Sequence, residues 1–386
     1  MTDPEEHIYQ HFPNDPRWQL LKTPITLDEF IHLPVVKSPF FNTGLSFCVK
    51  TDSILKATNG AVDLRLLAPK LVNFAMKLRC RDSRDSRAIP EDALKDRHFV
   101  RTIDNQIIFV TNLPAPGRYY WDIFVDSDWT SSLMDNACSF QIHCSTVPAI
   151  NKGISYPQVG CFGRTPNCAG YGITEDTDYD PYIVASGELA IALKISTDDV
   201  RLTHSMQFWN QRDQTPVDCD RFALLRSFIG SRPTYIVRCP RQGFYILSIS
   251  AASSSSSSKP HCVYRYLIEC RSPVKNAHPM ARTSSRWRHC RLVEPLDGEL
   301  MAKSKVVLRV ESKMAQEMMV SVGGQWVTMV CAQNLWSATV STGEVAGKLG
   351  IYGRFDAASE KCVPLVEYTI KEATLTDEVR TLFKYL

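Results

Sequence analysis

A long-period internal repeat limits this chain more than any other feature. LPAPGRYYWDIFVDS (113–127) and CPRQGFYILSISAAS (239–253) share a proline, a glycine, an aromatic residue and then alternating apolar positions, with Gly117 and Gly243 126 residues apart. Upstream, TNGAVDLRLLAP (58–69) answers to ASGELAIALKIS (185–196), with Gly60 and Gly187 127 residues apart. Solenoid units recur every ~20–50 residues, so a period this long marks a duplicated domain. A fainter third copy opens on PLDGELMAKSKVVLRVES (295–312) and carries AGKLGIYGRFDAAS (346–359) at the later landmark. Each copy closes on another alternating run: CSFQIHC (138–144), CVYRYLIEC (262–270) and PLVEYTI (364–370).

Within the copies the apolar period is two. Tyr119, Trp121, Ile123 and Val125 fall on one face of a strand, and Tyr245, Leu247, Ile249 and Ala251 on its counterpart. Such alternation means half-buried strands. Short strands punctuated by Gly, Pro, Asn and Asp turns point to an all-β chain of three tandem immunoglobulin-like antiparallel sandwiches, each with its own interior. The expected layout is an entry segment over 1–24, sandwiches over 25–148, 149–273 and 291–386, and a basic linker over 274–290. Helix signals are few. ITLDEFIH (25–32) and TLTDEVRTLFKYL (374–386) are the best, while the six-serine run 253–258 and DSDWTSSLMDN (126–136) read as hairpin loops.

Composition excludes several classes. No apolar run approaches the ~18 residues of a membrane helix, and a net charge of +3 over 386 residues asks for no nucleic acid. The thirteen cysteines form no CxxC pair. Neither a zinc ribbon nor a redox motif is therefore expected, nor any cofactor or metal. Cys144, Cys239, Cys262 and Cys270 read as small core residues in a reducing cytoplasm.

The opening, TDPEEHIYQHFPNDPRWQLL followed by ITLDEFIHLPVVKSPFFNTGL, resembles the kyphoscoliosis peptidase and hillarin family, in which such an HFP…WQLL segment leaves a transglutaminase-like core. The F…P…FF pattern that begins the family's immunoglobulin-like domains is Phe30, Pro34, Phe40 and Phe41 here. YPQVG (156–160), GELAIALKI, PRQGFYILSI and YRYLIEC fit a second domain, and Trp326, Trp336 and VEYTI a third. The resemblance implies a cytoskeleton-associated, cytoplasmic protein whose natural neighbour is a transglutaminase-like core, in the same or a related chain. That core's cysteine, histidine and aspartate lie upstream of the HFP segment and have no counterpart here. Ile8, Tyr9, Phe12, Trp18, Leu20 and Leu21 would form the apolar face that seats against it.

Two further constellations stand out. PNCAGYGI (166–173) imitates the surroundings of a thiol nucleophile, and Cys168, His204 and Asp213 follow in the order of nucleophile, base and orienting acid. The flanks argue against catalysis, because AGYGITEDTDYDP after Cys168 is too broken for a helix and too acidic to stabilise a thiolate. The second is KNAHPMARTSSRWRHCR (275–291), which carries Lys275, Arg282, Arg286, Arg288 and Arg291 around Trp287 with no acid. It suits an acidic protein partner such as a filament surface, or a phosphorylation switch at Ser284 or Ser285. The alternative is a solvated linker whose tryptophan packs on the next sandwich. The expected function is thus a non-catalytic scaffold that binds protein partners. Its rival is a piece of a cysteine peptidase or transglutaminase-like enzyme, or a thiol enzyme using Cys168.

Overall fold

The computed structural model describes residues 3–70, 72–83, 89–126, 134–174, 180–197, 199–254, 259–356 and 361–372. The chain is all-β, with antiparallel sheets packed as immunoglobulin-like sandwiches and a few short helices. The helix expected near the start runs over Leu27–His32. It begins where Thr26 and Glu29 close a reciprocal capping box, which satisfies two backbone N–H groups that the first turn leaves open. A second short helix, Ser38–Asn42, was not legible as one; Pro39 suits its first turn and Phe40 anchors it in the core. The C-terminal helix expected over 374–386, residues 255–258 of the serine run and 127–133 of the other loop lie outside the described residues.

By contacts the chain divides into two units, residues 1–165 with 209–215, and residues 166–208 with 216–386. In the first unit, Asn73–Ser83, Gly117–Asp126 and Asp135–Cys144 run antiparallel, and Ile54–Ala57 joins the last of these in parallel. The facing sheet orders Ser46–Phe47, Ala61–Leu67, Gln106–Asn112 and His98–Ile103. Tyr119, Trp121, Ile123 and Val125 all enter the interior between them. Tyr119 turns its hydroxyl back to the Ala115 carbonyl at 2.6 Å, which satisfies the one polar atom that the buried ring carries.

The second unit repeats these devices. Tyr245, Leu247, Ile249 and Ala251 are fully buried along Gly243–Ser253, which pairs antiparallel with His261–Ser272. Tyr245 bonds the Arg241 carbonyl, again four residues back, at 2.8 Å. The opposing sheet orders Glu188–Ala192, Thr234–Arg238 and Ala223–Ser227, then continues through Arg291–Glu294 into Lys305–Glu311 and Leu335–Ser341. A single pairing, Ser227 with Arg291, carries the sheet from the second copy into the third. The third copy's other sheet is built on Val363–Lys371, Gly347–Arg354 and Glu317–Val322. Three separate interiors were expected. Instead, one apolar cluster runs from Cys168 through Leu247 and Trp287 to Ile370, so the second and third copies share a core. Arg238 ties the same joint, bonding Glu188 at 2.6 Å and Asp297 as well.

Candidate partner-binding site

The basic stretch 274–290 is a strap stitched along the seam between the second and third copies. The Val274 N–H donates to Cys239 at 3.0 Å and the Met280 N–H to Arg221 at 2.6 Å, both in the second copy. The Ala281 N–H donates to Leu296 at 2.8 Å and the Ser284 N–H to Leu365 at 2.9 Å, both in the third. Arg282–Thr283 adds a short strand beside Val363–Lys371, with Arg282 opposite Glu367. A turn then closes through the Trp287 N–H to the Ser284 carbonyl at 3.0 Å, leaving Ser285 and Arg286 at its exposed tip.

This docking divides the residues singled out from sequence. Trp287 is 2% exposed and belongs to the shared core, so it anchors the strap rather than presenting a surface hot spot. Arg288 lies with its guanidinium 4.8 Å from the Phe228 ring centre and donates to the Val200 carbonyl at 3.0 Å. Arg291 is drawn to Glu311 at 3.4 Å. Lys275, Arg282 and Arg286 are exposed, and among the described residues none of the three forms an ion pair. The two serines divide likewise. The Ser284 hydroxyl donates to Pro364 at 2.6 Å and accepts from the Arg286 N–H, whereas Ser285 is exposed.

Beside the strap lies a cleft of about 300 Å³, lined by Leu202, His204, Arg221, Arg282, Ser284 and Ser285 among others. Arg221 lies within a short 3-10 turn of the second copy, Asp220–Phe222, and was not singled out from sequence, since it is 61 positions from Arg282. Its guanidinium reaches the Met280 carbonyl only at 3.4 Å, from both Nε and Nη2. Burial, and then the nearby Arg282 charge, lower its affinity for a proton.

The residues of the thiol lookalike have other partners. Cys168 is 3% exposed and directs its Sγ to the Ile173 carbonyl at 3.3 Å, ahead of a single 3-10 turn, Ala169–Tyr171. His204 sits in the strand Val200–Asn210, with Nε2 3.1 Å from the Ala223 carbonyl. Burial holds its pKa below the usual imidazole value, against the pull of Asp220. Asp213 accepts from the Asn210 amide at 2.6 Å. The atoms that a triad would need to face one another are thus engaged by backbone carbonyls and an asparagine.

The N-terminal face is split as well. Ile8 is buried, the Tyr9 ring lies 5.8 Å from Phe41 and 6.3 Å from Phe47, and Phe12 packs 5.2 Å from Phe30. Trp18 and Leu20 are each 72% exposed, and Leu21 is half-buried. Gln19 fixes the bend between them by bonding both the N–H and the carbonyl of Ile25, at 2.7 and 2.8 Å. Among the described residues, no helix is long and apolar enough to cross a membrane.

Known proteins resemble this chain over most of its length. Hillarin of Drosophila melanogaster is 28% identical over 64% of it, Lim and transglutaminase domain protein ltd-1 of Caenorhabditis elegans 26% over 70%, and kyphoscoliosis peptidase of Mus musculus 21% over 89%. The matched segments span 32%, 39% and 49% of those proteins, so the chain spans about half their length or less. The model of the KY-like, immunoglobulin-like domain matches residues 27–152 and 162–281, the first two copies of the repeat. The chain therefore belongs to the KY-like immunoglobulin-like domain family.

Proposed function

We propose that this chain is a non-catalytic scaffold region that binds acidic protein partners of the cytoskeleton in the cytoplasm. The observation that carries this reading is the strap. A stretch with no acid is held by backbone hydrogen bonds against a seam between two sandwiches, with Lys275, Arg282 and Arg286 exposed and unpaired among the described residues. Paired cations are largely neutralised in place, while unpaired ones on a fixed frame steer and orient an acidic surface. Trp18 and Leu20, with half-buried Leu21 next in the chain, offer a second contact face, proposed for a transglutaminase-like core of the same or a related protein. Large exposed apolar groups of this kind mark interaction sites.

Co-sedimentation with purified actin filaments and with microtubules, both acidic polymers, tests the strap. Binding to at least one is expected, weakening as salt is raised and falling in an Arg282→Glu, Arg286→Glu double variant. Binding to neither, or binding untouched by the double variant, would remove the strap from the reading. A competing enzyme reading draws on the names of the relatives, a peptidase and a transglutaminase domain protein. It would require Cys168 to react in the folded protein.

A further inference from the structure

We propose that the cleft beside the strap is an oxyanion-binding site, with Arg221 and Arg282 as its paired ligands and a carboxylate or phosphate as its occupant. This goes beyond the filament reading, because it holds whichever partner supplies the group. One guanidinium from the second copy and one from the strap line one cleft, close enough that the Arg282 charge acts against the charge on Arg221. Like charges held together in a partly buried site are relieved by an anion between them.

The protein's own carboxylates do not take that role. Glu299 and Glu367 are near enough to act on Arg221, and Glu367 faces Arg282 across the strand pair. Yet Glu299 is held by Lys371 at 2.7 Å and Glu367 by Lys348 at 3.1 Å. Asp220, which also lines the cleft, accepts the Met206 N–H at 2.6 Å. Among the described residues neither Arg221 nor Arg282 has an ion pair, and Arg221 has only two long bonds to one carbonyl. Guanidinium donors left this way in one cleft suit the forked recognition of carboxylate and phosphate oxygens. His204, kept neutral by burial and facing the Ala223 carbonyl, adds no competing charge. The Ser285 hydroxyl at the exposed tip supplies a further donor on the rim.

The test uses the full chain labelled with ¹⁵N-arginine and follows the arginine Nε–H resonances during titration with inorganic phosphate and, separately, with acetate. The assignment predicts saturable shifts at Arg221 and Arg282 together, weakened by added sodium chloride. Saturation by phosphate alone identifies a phosphorylated group as the natural occupant, and saturation by both admits an acidic side chain. Arg221→Gln and Arg282→Gln should each weaken binding about tenfold or more, the scale of one charge-assisted hydrogen bond, while Lys313→Gln, an exposed cation outside the cleft, leaves it unchanged. Arg282 is exposed, so its variant still reports if the Arg221 variant fails to fold. Shifts that never saturate, or that persist in the Arg282 variant, overturn the site. Filament binding that survives such a result would leave the scaffold reading standing without it.

Discussion

Replacing Trp287 with alanine should destabilise the second and third copies together. The indole is 2% exposed and sits in the apolar cluster common to both. A tryptophan buries about 150–250 Å², worth about 4–6 kcal/mol at about 25 cal/mol per Å². Alanine recovers a little of that area but leaves a cavity, and aromatic-to-alanine changes in cores cost about 3–5 kcal/mol. A tryptophan on a solvated linker would cost no more than about 0.5 kcal/mol, so the two views of this stretch differ by a wide margin. Native-state hydrogen exchange resolved by peptide is the suitable assay. At about tenfold per 1.4 kcal/mol, exchange in Gly243–Ser253, Lys305–Glu311 and Val363–Lys371 should accelerate by about two to four powers of ten. Exchange in Gly117–Asp126, whose core is separate, should not change. Phenylalanine should rescue most of the loss, because no partner for the indole Nε1 is found among the described residues. Acceleration confined to the strap, or none at all, would refute a core shared through Trp287.

Other consequences follow from single sites. Burial lowers the His98 pKa from 6.5 to about 4, so the unfolded chain binds a proton there before the folded one does. The first unit's stability is then complete above pH 6.5 and falls as pH drops towards 4, by about 3 kcal/mol in all; thermal melts across that range should show the fall, and a His98→Phe variant should flatten it. Thiol labelling of the folded protein should reach exposed Cys331 first, and reach Cys168 and Cys290 only on unfolding, since both are buried and burial pushes the Cys290 thiol up to about 12. Rapid labelling of Cys168 would revive the enzyme reading. Gly298→Ala should lower the denaturation midpoint, because a Cβ there would meet the Met280 carbonyl oxygen at 2.1 Å, and overpacking against backbone costs about 1–3 kcal/mol or more.

Much of the scaffold can be read from residues alone because strand geometry is local. A period of two sends Tyr119 and Trp121, or Tyr245 and Leu247, to one face whatever surrounds them, and the repeat then doubles the evidence. The capping box at Thr26 and Glu29 is equally local. The candidate site was only half visible. A run of arginines around a tryptophan announced a basic surface, but which members stay exposed depends on what the chain folds against. Trp287 turned inward because the seam offered a cavity of apolar neighbours. Arg288 was claimed by Phe228 and Val200, and Arg291 by Glu311.

Sequence by itself therefore determined the sheets, their buried faces and the tandem order, since these rest on backbone periodicity and on side chains a few residues apart. Tertiary structure alone decided that the second and third sandwiches share an interior, and that Arg221 and Arg282, 61 positions apart in the chain, line one cleft. The physical reason is that a sheet edge and a lone Ser227–Arg291 pairing draw their energy from neighbours distant in sequence, and the cleft walls come together only where those neighbours meet, which no local pattern encodes.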